Sequence, residues 1–361
     1  MKLKVKTFVL QSLLTKAVKG ASMNKMIPLT NLMSIKVTDG KLMITTTDAT
    51  NYLYVAVDYE GDEDFEVVVM ADIFVKLISK LTSEYVELSV TDDILTVVGN
   101  GEYKIELPLN EEGSRISYPN PIADFKPKYS FRIKRDDVQK ILMTAKASLS
   151  TKTDALCYTG YYIGDEIVTT DTEVMCGISR KLGFTNPVLI FPSTVDLLDL
   201  MTDAEIDCSV DDNNGILFKT GNCTVCGKVM DCVDDFQIDV ISELLEQDFD
   251  SSCVFSKLEL LQVLDRVSLF VGAYDKNCVY LTFTENGLLV QSKQTNSSET
   301  LKYMSVSNFK SFTCCIDVEM LKTQIKAYTD DKVEMQYGRD NAIKLVDGDT
   351  VQIVCLQEDI R

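Results

Sequence analysis

The chain has 361 residues, of which 45% are apolar and 25% charged, and a formal net charge of −19. This length exceeds one ordinary hydrophobic core, so two or three domains are expected. The absence of histidine excludes histidine-dependent catalysis, and the negative charge taken alone argues against a nucleic-acid binder.

The first predicted element is a helix at the N-terminus. In "VLQSLLTKAVKG" the residues Leu10, Leu13, Leu14 and Ala17 recur at helical spacing, which predicts one buried face. The stretch is neither long nor apolar enough for a membrane span, and it lacks the uninterrupted apolar core of a signal peptide. We therefore expect a cytoplasmic protein with no membrane partner.

The next elements along the chain introduce a repeat. Strand-like segments follow the first helix and end in Thr46-Thr47-Asp48, and the same three residues return at Thr169-Thr170-Asp171. A short helix, a turn and three alternating strands then follow in residues 70–109, 191–230 and 316–356. The matching apolar helix stripes of the second and third copies are Val138, Ile141, Leu142 and Ala145, and Leu260, Val263, Leu264 and Val267.

The repeat predicts an α+β protein of three tandem domains, 1–122, 123–248 and 249–361, each with two helices packed on antiparallel sheets. Residues 111–130 are rich in proline and glycine, and residues 241–252 are acidic, so both are predicted to be linkers.

The cysteines predict no metal centre. Many of the eleven lie in apolar strand-like runs, which predicts buried free thiols at Cys208, Cys278, Cys314, Cys315 and Cys355. Cys223 and Cys226 form a CxxC, but residues three apart in a strand point to opposite faces. We predict no metal site and no cofactor.

The charge is segregated by element. The six predicted helices together carry a small positive charge, so the negative charge lies on the rest of the chain. A helical face of this kind tolerates a phosphate backbone, which it would contact without reading sequence.

At this point the sequence resembles the bacterial-type DNA sliding clamp, the beta subunit of DNA polymerase III. The resemblance covers nearly the whole chain and is best in residues 24–53, 67–108 and 228–238. It implies a ring-forming homodimer whose helices line a central hole, encircling double-stranded DNA and tethering a replicative polymerase after opening by a clamp loader. It implies no catalytic residues.

The resemblance and the helix charges also imply sites. Lys25 matches a DNA-contacting position, and the basic helix residues add Lys16, Lys19, Lys76, Lys80, Arg135, Lys140, Lys322 and Lys326. A partner-peptide pocket is implied at Thr170, Val174, Met175, Val240, Val318, Cys355 and Leu356. A dimer contact is implied at Tyr103, Ile105, Leu269 and Phe270.

Two alternatives differ in class. The first is an acidic structural repeat protein with a clamp-like fold and no DNA role. The second is a carboxylate enzyme, for which adjacent aspartates are available; most lie at predicted turns, where Asp is favoured for local hydrogen bonding. These pairs are Asp92-Asp93, Asp211-Asp212, Asp234-Asp235 and Asp330-Asp331.

Overall fold

The computed structural model describes residues 1–22, 24, 26–61, 64–272, 277–293 and 297–358. The chain divides into two compact units. Unit 1 comprises Met1–Arg135 and Ser193–Val229, and unit 2 comprises Asp136–Pro192 and Met230–Arg361. The predicted domain boundaries after residues 122 and 248 stay a prediction.

The first repeat contains eight strands and two α-helices. They are β1 (Lys2–Lys6), α1 (Thr7–Ala17), β2 (Leu32–Thr38), β3 (Lys41–Thr47), β4 (Tyr52–Asp58), β5 (Phe65–Met70), α2 (Ala71–Ser79), β6 (Tyr85–Thr91), β7 (Ile94–Val98) and β8 (Glu102–Glu106).

The second repeat has the same order of elements and one additional helix. They are β9 (Tyr129–Lys134), α3 (Arg135–Met143), β10 (Tyr161–Ile163), β11 (Ile167–Thr170), β12 (Val174–Ile178), β13 (Val188–Ile190), α4 (Pro192–Leu198), β14 (Glu205–Val210), β15 (Gly215–Lys219), β16 (Cys223–Lys228) and α5 (Ile238–Glu246).

The third repeat follows the same plan with nine strands. They are β17 (Ser251–Ser256), α6 (Lys257–Ser268), β18 (Cys278–Thr284), β19 (Gly287–Ser292), β20 (Ser298–Leu301), β21 (Ser305–Ser307), β22 (Phe312–Asp317), α7 (Val318–Ala327), β23 (Lys332–Tyr337), β24 (Ala342–Asp347) and β25 (Thr350–Cys355). The threefold α+β plan is thus confirmed.

All strand pairs are antiparallel, and each unit holds one large and one small sheet. Unit 1 has the orders β1-β6-β7-β8 and β5-β2-β3-β4-β16-β15-β14-β9. Unit 2 has the orders β13-β10-β11-β12-β25-β24-β23-β17-β21 and β20-β19-β18-β22.

The apolar helix stripes form the core, as predicted. Leu10, Leu13, Leu14 and Ala17 of α1 are buried. Each of the three leucine side chains contributes about 1.5–3 kcal/mol when it leaves water. The helix ends earlier than the sequence pattern suggests, because a short 3-10 turn brings Gly20 against the sheet; a Cβ there would lie 2.6 Å from the Thr46 Oγ1. No helix among the described residues is long and apolar enough to span a membrane.

Two predictions about local structure are wrong. The predicted linker 241–252 contains most of α5, whose Ile241 and Leu245 are buried. Cys278 and Cys315 are not free thiols. They lie on one face of the paired strands β18 and β22, with Cα atoms 6.0 Å apart, and form a disulfide. This separation is ordinary for a disulfide, and the strand pairing that creates it is invisible in the sequence.

The prediction of buried free thiols is confirmed for some of the other named cysteines. Cys208 and Cys314 are free and buried, and burial raises the pKa of both thiols, that of Cys314 to about 12. Cys355 is free but only half-buried. The thiols of Cys223 and Cys226 are free and buried on β16, where desolvation raises the pKa of each to about 11. These groups stay protonated at neutral pH and are poor nucleophiles.

Candidate functional site

The repeated Thr-Thr-Asp segments form the same turn. The Thr46 hydroxyl donates to the Ala17 carbonyl at 2.7 Å and ties β3 to the end of α1. Asp48 then accepts from the backbone N–H groups of Thr50 and Asn51, at 2.8 and 2.6 Å. Ala49 adopts φ 78° inside this turn. The segment therefore locks a helix to a strand and reverses the chain into β4.

The second copy repeats each of these contacts in unit 2. Thr169 donates to the Ala145 carbonyl at 2.7 Å, and Asp171 accepts from the N–H groups of Glu173 and Val174 at 2.9 and 2.8 Å. Thr172 adopts φ 80° where the first copy has Ala49. β4 and β12 therefore occupy equivalent positions, since each is the last of three consecutive paired strands in its repeat.

Each of these strands pairs with the last strand of another repeat. In unit 1, β4 pairs with β16, with Leu53 opposite Val225. In unit 2, β12 pairs with β25, with Cys176 opposite Gln352. Leu53 and Cys176 are equivalent, because they lie opposite Thr46 and Thr169 on the preceding strands. One strand-to-strand junction therefore occurs twice, in the same register.

A third junction of this kind would join β8 to β20, and both are edge strands. In the described part of the chain, β8 is bonded to β7 alone and β20 to β19 alone. β8 is the last strand of the first repeat, as β16 and β25 are the last strands of the second and third. β20 follows β18 and β19 as β4 follows β2 and β3. Open edges of this kind are templates for pairing with another chain.

Two of the residues predicted for a dimer contact are prominently exposed. Leu269 and Phe270, at the end of α6, are 80% and 52% exposed. Tyr103, on the edge strand β8, is also exposed. Ile105 points into the core of unit 1 opposite Leu95 and is 8% exposed, so little of its side chain could meet a partner.

The predicted DNA-contacting residues fall into several classes. Lys25 lies outside the described residues. Arg135 is half-buried at the start of α3, and Lys76 is exposed but pairs with Asp72 at 2.6 Å. The remaining residues that are exposed on or just after helices are Lys16, Lys19, Lys80 and Lys326.

Lys322 is not available to a phosphate. Its side chain is 8% exposed, and its ammonium pairs with Glu319 at 2.8 Å and Asp265 at 3.0 Å. Burial opposes the charged form, but these two carboxylates outweigh it and raise the pKa of Lys322. The prediction of a DNA contact at Lys322 is corrected to an internal ion pair between α6 and α7.

Lys140 is also engaged internally. It pairs with Asp349, which also accepts from Arg180, and Arg180 in turn donates to Asp137. Burial alone would raise the pKa of the Asp349 carboxyl, but hydrogen bonds and charge from Lys140 and Arg180 hold it below its ordinary value. This partly buried network ties α3 to the β24–β25 hairpin and removes Lys140 from the candidate DNA contacts.

The residues predicted for a peptide pocket do not form an open pocket. Thr170, Val174, Met175 and Val318 are buried, and Cys355 and Leu356 are half-buried. Met175 is covered by α5, whose Ile241 and Leu245 pack in one cluster with it. Val174 and Val318 instead belong to the apolar core of the third repeat. Leu245 reaches so close to Gly177 that a Cβ there would lie 2.8 Å from its methyl group.

Val240, in contrast, lines an open groove. The groove in unit 2 has a volume of about 560 Å³ and is bordered by Tyr162, Pro187, Phe236 and Val240. The sequence does not predict this groove, because Tyr162, Pro187 and the start of α5 come together only in the folded chain. Ile238, Ile241 and Leu245 give the helical spacing that could have revealed this helix.

No group of three or more Cys, Asp or Glu side chains suited to a metal ion occurs among the described residues. Members of the adjacent aspartate pairs form ion pairs with Arg115 and Lys128 or accept hydrogen bonds within turns. Asp211, for example, accepts from the N–H groups of Asn213 and Gly215, both at 2.7 Å, within the β14–β15 turn.

Comparison with protein families gives a match to the N-terminal part of the chain. Residues 1–114 match the family of the DNA polymerase III beta subunit, N-terminal domain. No curated protein matches the chain significantly.

Solved structures match over the full length. The chain is similar to the beta subunit of DNA polymerase of Streptococcus pyogenes, with a TM-score of 0.85 and 16% identity over 99% of this chain and 100% of the other. It is similar to the sliding clamp of Bacillus subtilis (0.82, 17%, 99% of both chains). It is also similar to the Pseudomonas aeruginosa sliding clamp bound to griselimycin (0.83, 16%, 99% of both). The chain has the fold of the bacterial DNA polymerase III beta sliding clamps.

Proposed function

We propose that the protein is a DNA sliding clamp, a processivity factor that closes as a ring of two copies around duplex DNA and tethers a replicative polymerase. The observation that carries this proposal is the strand junction that occurs twice inside the chain and is left open at β8 and β20. Since these two edges differ, association through them is head-to-tail, and such contacts generate rings when the rotation closes.

The internal junctions predict the register of the third. Tyr103 lies opposite Val97 as Val225 lies opposite Phe218 and Gln352 opposite Leu345. Ser292 lies five residues after the first residue of β19, as Thr46 does in β3, and its N–H donates to Ser297 at 2.9 Å. We therefore expect Tyr103 of one copy opposite Ser297 of the next, and Glu102 opposite Ser298.

The exposed apolar pair fits the same junction. Ala147 and Ser148, after α3, contact Gln324 of α7, at 3.0 and 2.9 Å. Their equivalents after α6 are Leu269 and Phe270, and the equivalent of Gln324 in α2 is Leu77. The polar contact inside the chain is thus replaced by apolar residues where two copies would meet. Burying them would stabilise a dimer.

The charge distribution supports weak, sequence-independent contact with DNA. The available lysines on the helices are few, and lysine contacts to phosphates carry no sequence information. A ring holds DNA by enclosure and needs little local affinity. The clamp loader, the polymerase and a cytoplasmic location are parts of this proposal, and we expect no catalytic activity.

Native mass by light scattering over a concentration series tests the closure. We expect a species of twice the 40.4 kDa chain mass. Leu269→Asp should weaken the dimer at least about tenfold, the loss expected of an interface anchor. Leu258→Asp is a matched control, since Leu258 is also exposed on α6 but lies outside the proposed junction.

Retention on DNA tests the enclosure. Dimers dissociated by dilution are mixed with nicked plasmid, reconcentrated, and passed through gel filtration in about 0.5 M salt, which suppresses phosphate contacts. A clamp stays on the circle and is released when the plasmid is linearised. The acidic structural repeat protein of the alternative hypothesis would be lost from both forms, and that result would contradict the proposal.

A further inference from the structure

The edge strand that precedes the second helix of each repeat is covered differently in the first repeat. In the second repeat, the backbone N–H of Met230 donates to the carbonyl of Leu189 on β13 at 2.8 Å. In the third repeat, the N–H of Gln357 donates to the carbonyl of Cys315 on β22 at 2.9 Å. Met230 and Gln357 each lie two residues after the last strand of their repeat. The chain therefore covers both edges with a short extended segment of its own.

Pro108 occupies the corresponding position in the first repeat, two residues after β8. The matching edge residue is Val68 on β5. Val68, Leu189 and Cys315 are equivalent, because they lie opposite matching residues of β2, β10 and β18, which pair in turn with matching residues of β3, β11 and β19. Proline has no backbone N–H and cannot make the bond. Among the described residues, β5 pairs with β2 alone.

A groove lies where the other two repeats make this bond. It has a volume of about 320 Å³ and is bordered by Val67 and Val68 of β5 and by Leu107, Pro108 and Ile116 of the segment that follows β8. The free edge of β5 thus forms part of its wall. An unpaired strand edge is a template for the backbone of another chain.

The charges in this groove are already paired. Of the residues that line it, Glu66 and Arg115 are charged. Glu66 pairs with Lys36 at 2.9 Å, and Arg115 pairs with Asp93 at 3.3 Å. A phosphate would therefore compete with a carboxylate for the one cation that lines the groove. The apolar wall and the free strand edge favour an uncharged polypeptide over a nucleic acid.

We propose that this groove binds a short, extended and mainly apolar segment of a partner protein, which adds to β5 as a strand and donates a backbone N–H to the Val68 carbonyl. The bond is the one that Met230 and Gln357 make in the other repeats. Strand addition of this kind takes its affinity from main-chain hydrogen bonds. The volume is near the lower end for binding pockets, so the groove admits a single chain and not a folded domain. This site lies within unit 1 and goes beyond the proposed function, since it does not require a closed ring.

Restoring the missing donor tests the structural basis. Pro108→Met supplies a backbone N–H and the side chain found at the equivalent position 230. We expect its amide at position 108 to bond to Val68 and to exchange with solvent deuterium at least about tenfold more slowly than an exposed amide. Exchange at the rate of an exposed amide would show that the two segments are not equivalent and would overturn the proposal.

Peptide selection tests the binding. A library of random peptides is selected on immobilised full-length protein, with counter-selection on Pro108→Met, and enriched peptides are labelled and titrated by fluorescence anisotropy. We expect mainly apolar peptides whose affinity falls at least about tenfold in Pro108→Met, because the restored bond closes the groove. Ser117→Trp should weaken binding as much by filling the groove, since Ser117 is exposed and lines it.

Pro127→Met is the matched control, because Pro127 is exposed but does not line the groove. It should change the affinity by less than about twofold, as surface substitutions usually do. Peptides that bind both groove variants as tightly as wild type, or a selection without enrichment, would overturn the proposal. So would a labelled single-stranded oligonucleotide whose binding is lost in Pro108→Met, because it would assign the groove to nucleic acid. Retention on circular plasmid tests the ring and not this groove, so either proposal can fail without the other.

Discussion

Asp349 is the shared acceptor of a partly buried ion-pair network in unit 2. It accepts from Lys140 and Arg180, and all three side chains are largely removed from water. Asp349→Asn would leave Lys140 without a carboxylate partner and Arg180 with Asp137 alone. We expect unfolding in urea at pH 7 to become easier by about 1–3 kcal/mol, since unpaired buried charges are costly.

The effect should depend on pH with a definite sign. The pKa of Asp349 is lowered in the folded protein, so its stabilising contribution is present above the ordinary Asp value of about 4 and is lost as pH falls through the folded pKa. The gap between wild type and Asp349→Asn should therefore narrow in acid. Asp165→Asn breaks the exposed pair with Lys181 and should change stability by less than about 0.5 kcal/mol. Equal losses in both variants would refute a special role for Asp349.

At the scale of elements, the register between β8 and β20 makes a sharp prediction. A protein carrying both Glu102→Cys and Ser298→Cys should form a covalent dimer under mild oxidation, because directly opposed residues lie within disulfide range. Pairing Glu102→Cys with Thr300→Cys moves one partner two residues along the same strand, where the separation is too large. Non-reducing electrophoresis separates the two results. Equal cross-linking of both pairs, or of neither, would show that the register is wrong.

How far the elements were predictable depends on what their sequence patterns encode. Leu260, Val263 and Val267 recur at helical spacing, so the stripe of α6 was readable. In α5, acidic residues lie between the apolar ones, so its apolar helical face is difficult to recognise from the sequence. The sequence does not distinguish Lys322 from an exposed helix lysine, because it does not show that α6 places Asp265 beside it. The Cys278–Cys315 disulfide depends likewise on strand pairing between distant segments.

At the scale of the whole molecule, enclosure and affinity should respond differently to salt. Substitution of both Lys16 and Lys19 by Ala should weaken binding to short linear duplexes and reduce its salt dependence, because each lost phosphate contact lowers the slope by about 0.9. Retention on circular plasmid should not change. Lys228→Ala, at an exposed position on β16, is the control and should affect neither measurement. Loss of the doubly substituted protein from circles would mean that lysine contacts and not enclosure hold the DNA.

β8 and β20 are different strand edges, so an assembly joined through them has a direction. A closed pair joined head-to-tail through unlike edges has its only rotation axis along the hole, so the assembly has two chemically distinct rims. A surface feature that one copy presents on one rim recurs on the same rim in the other copy. In the proposed ring, partners that bind one rim would all stand on the same side, and a clamp placed on DNA would carry an orientation relative to the direction of synthesis.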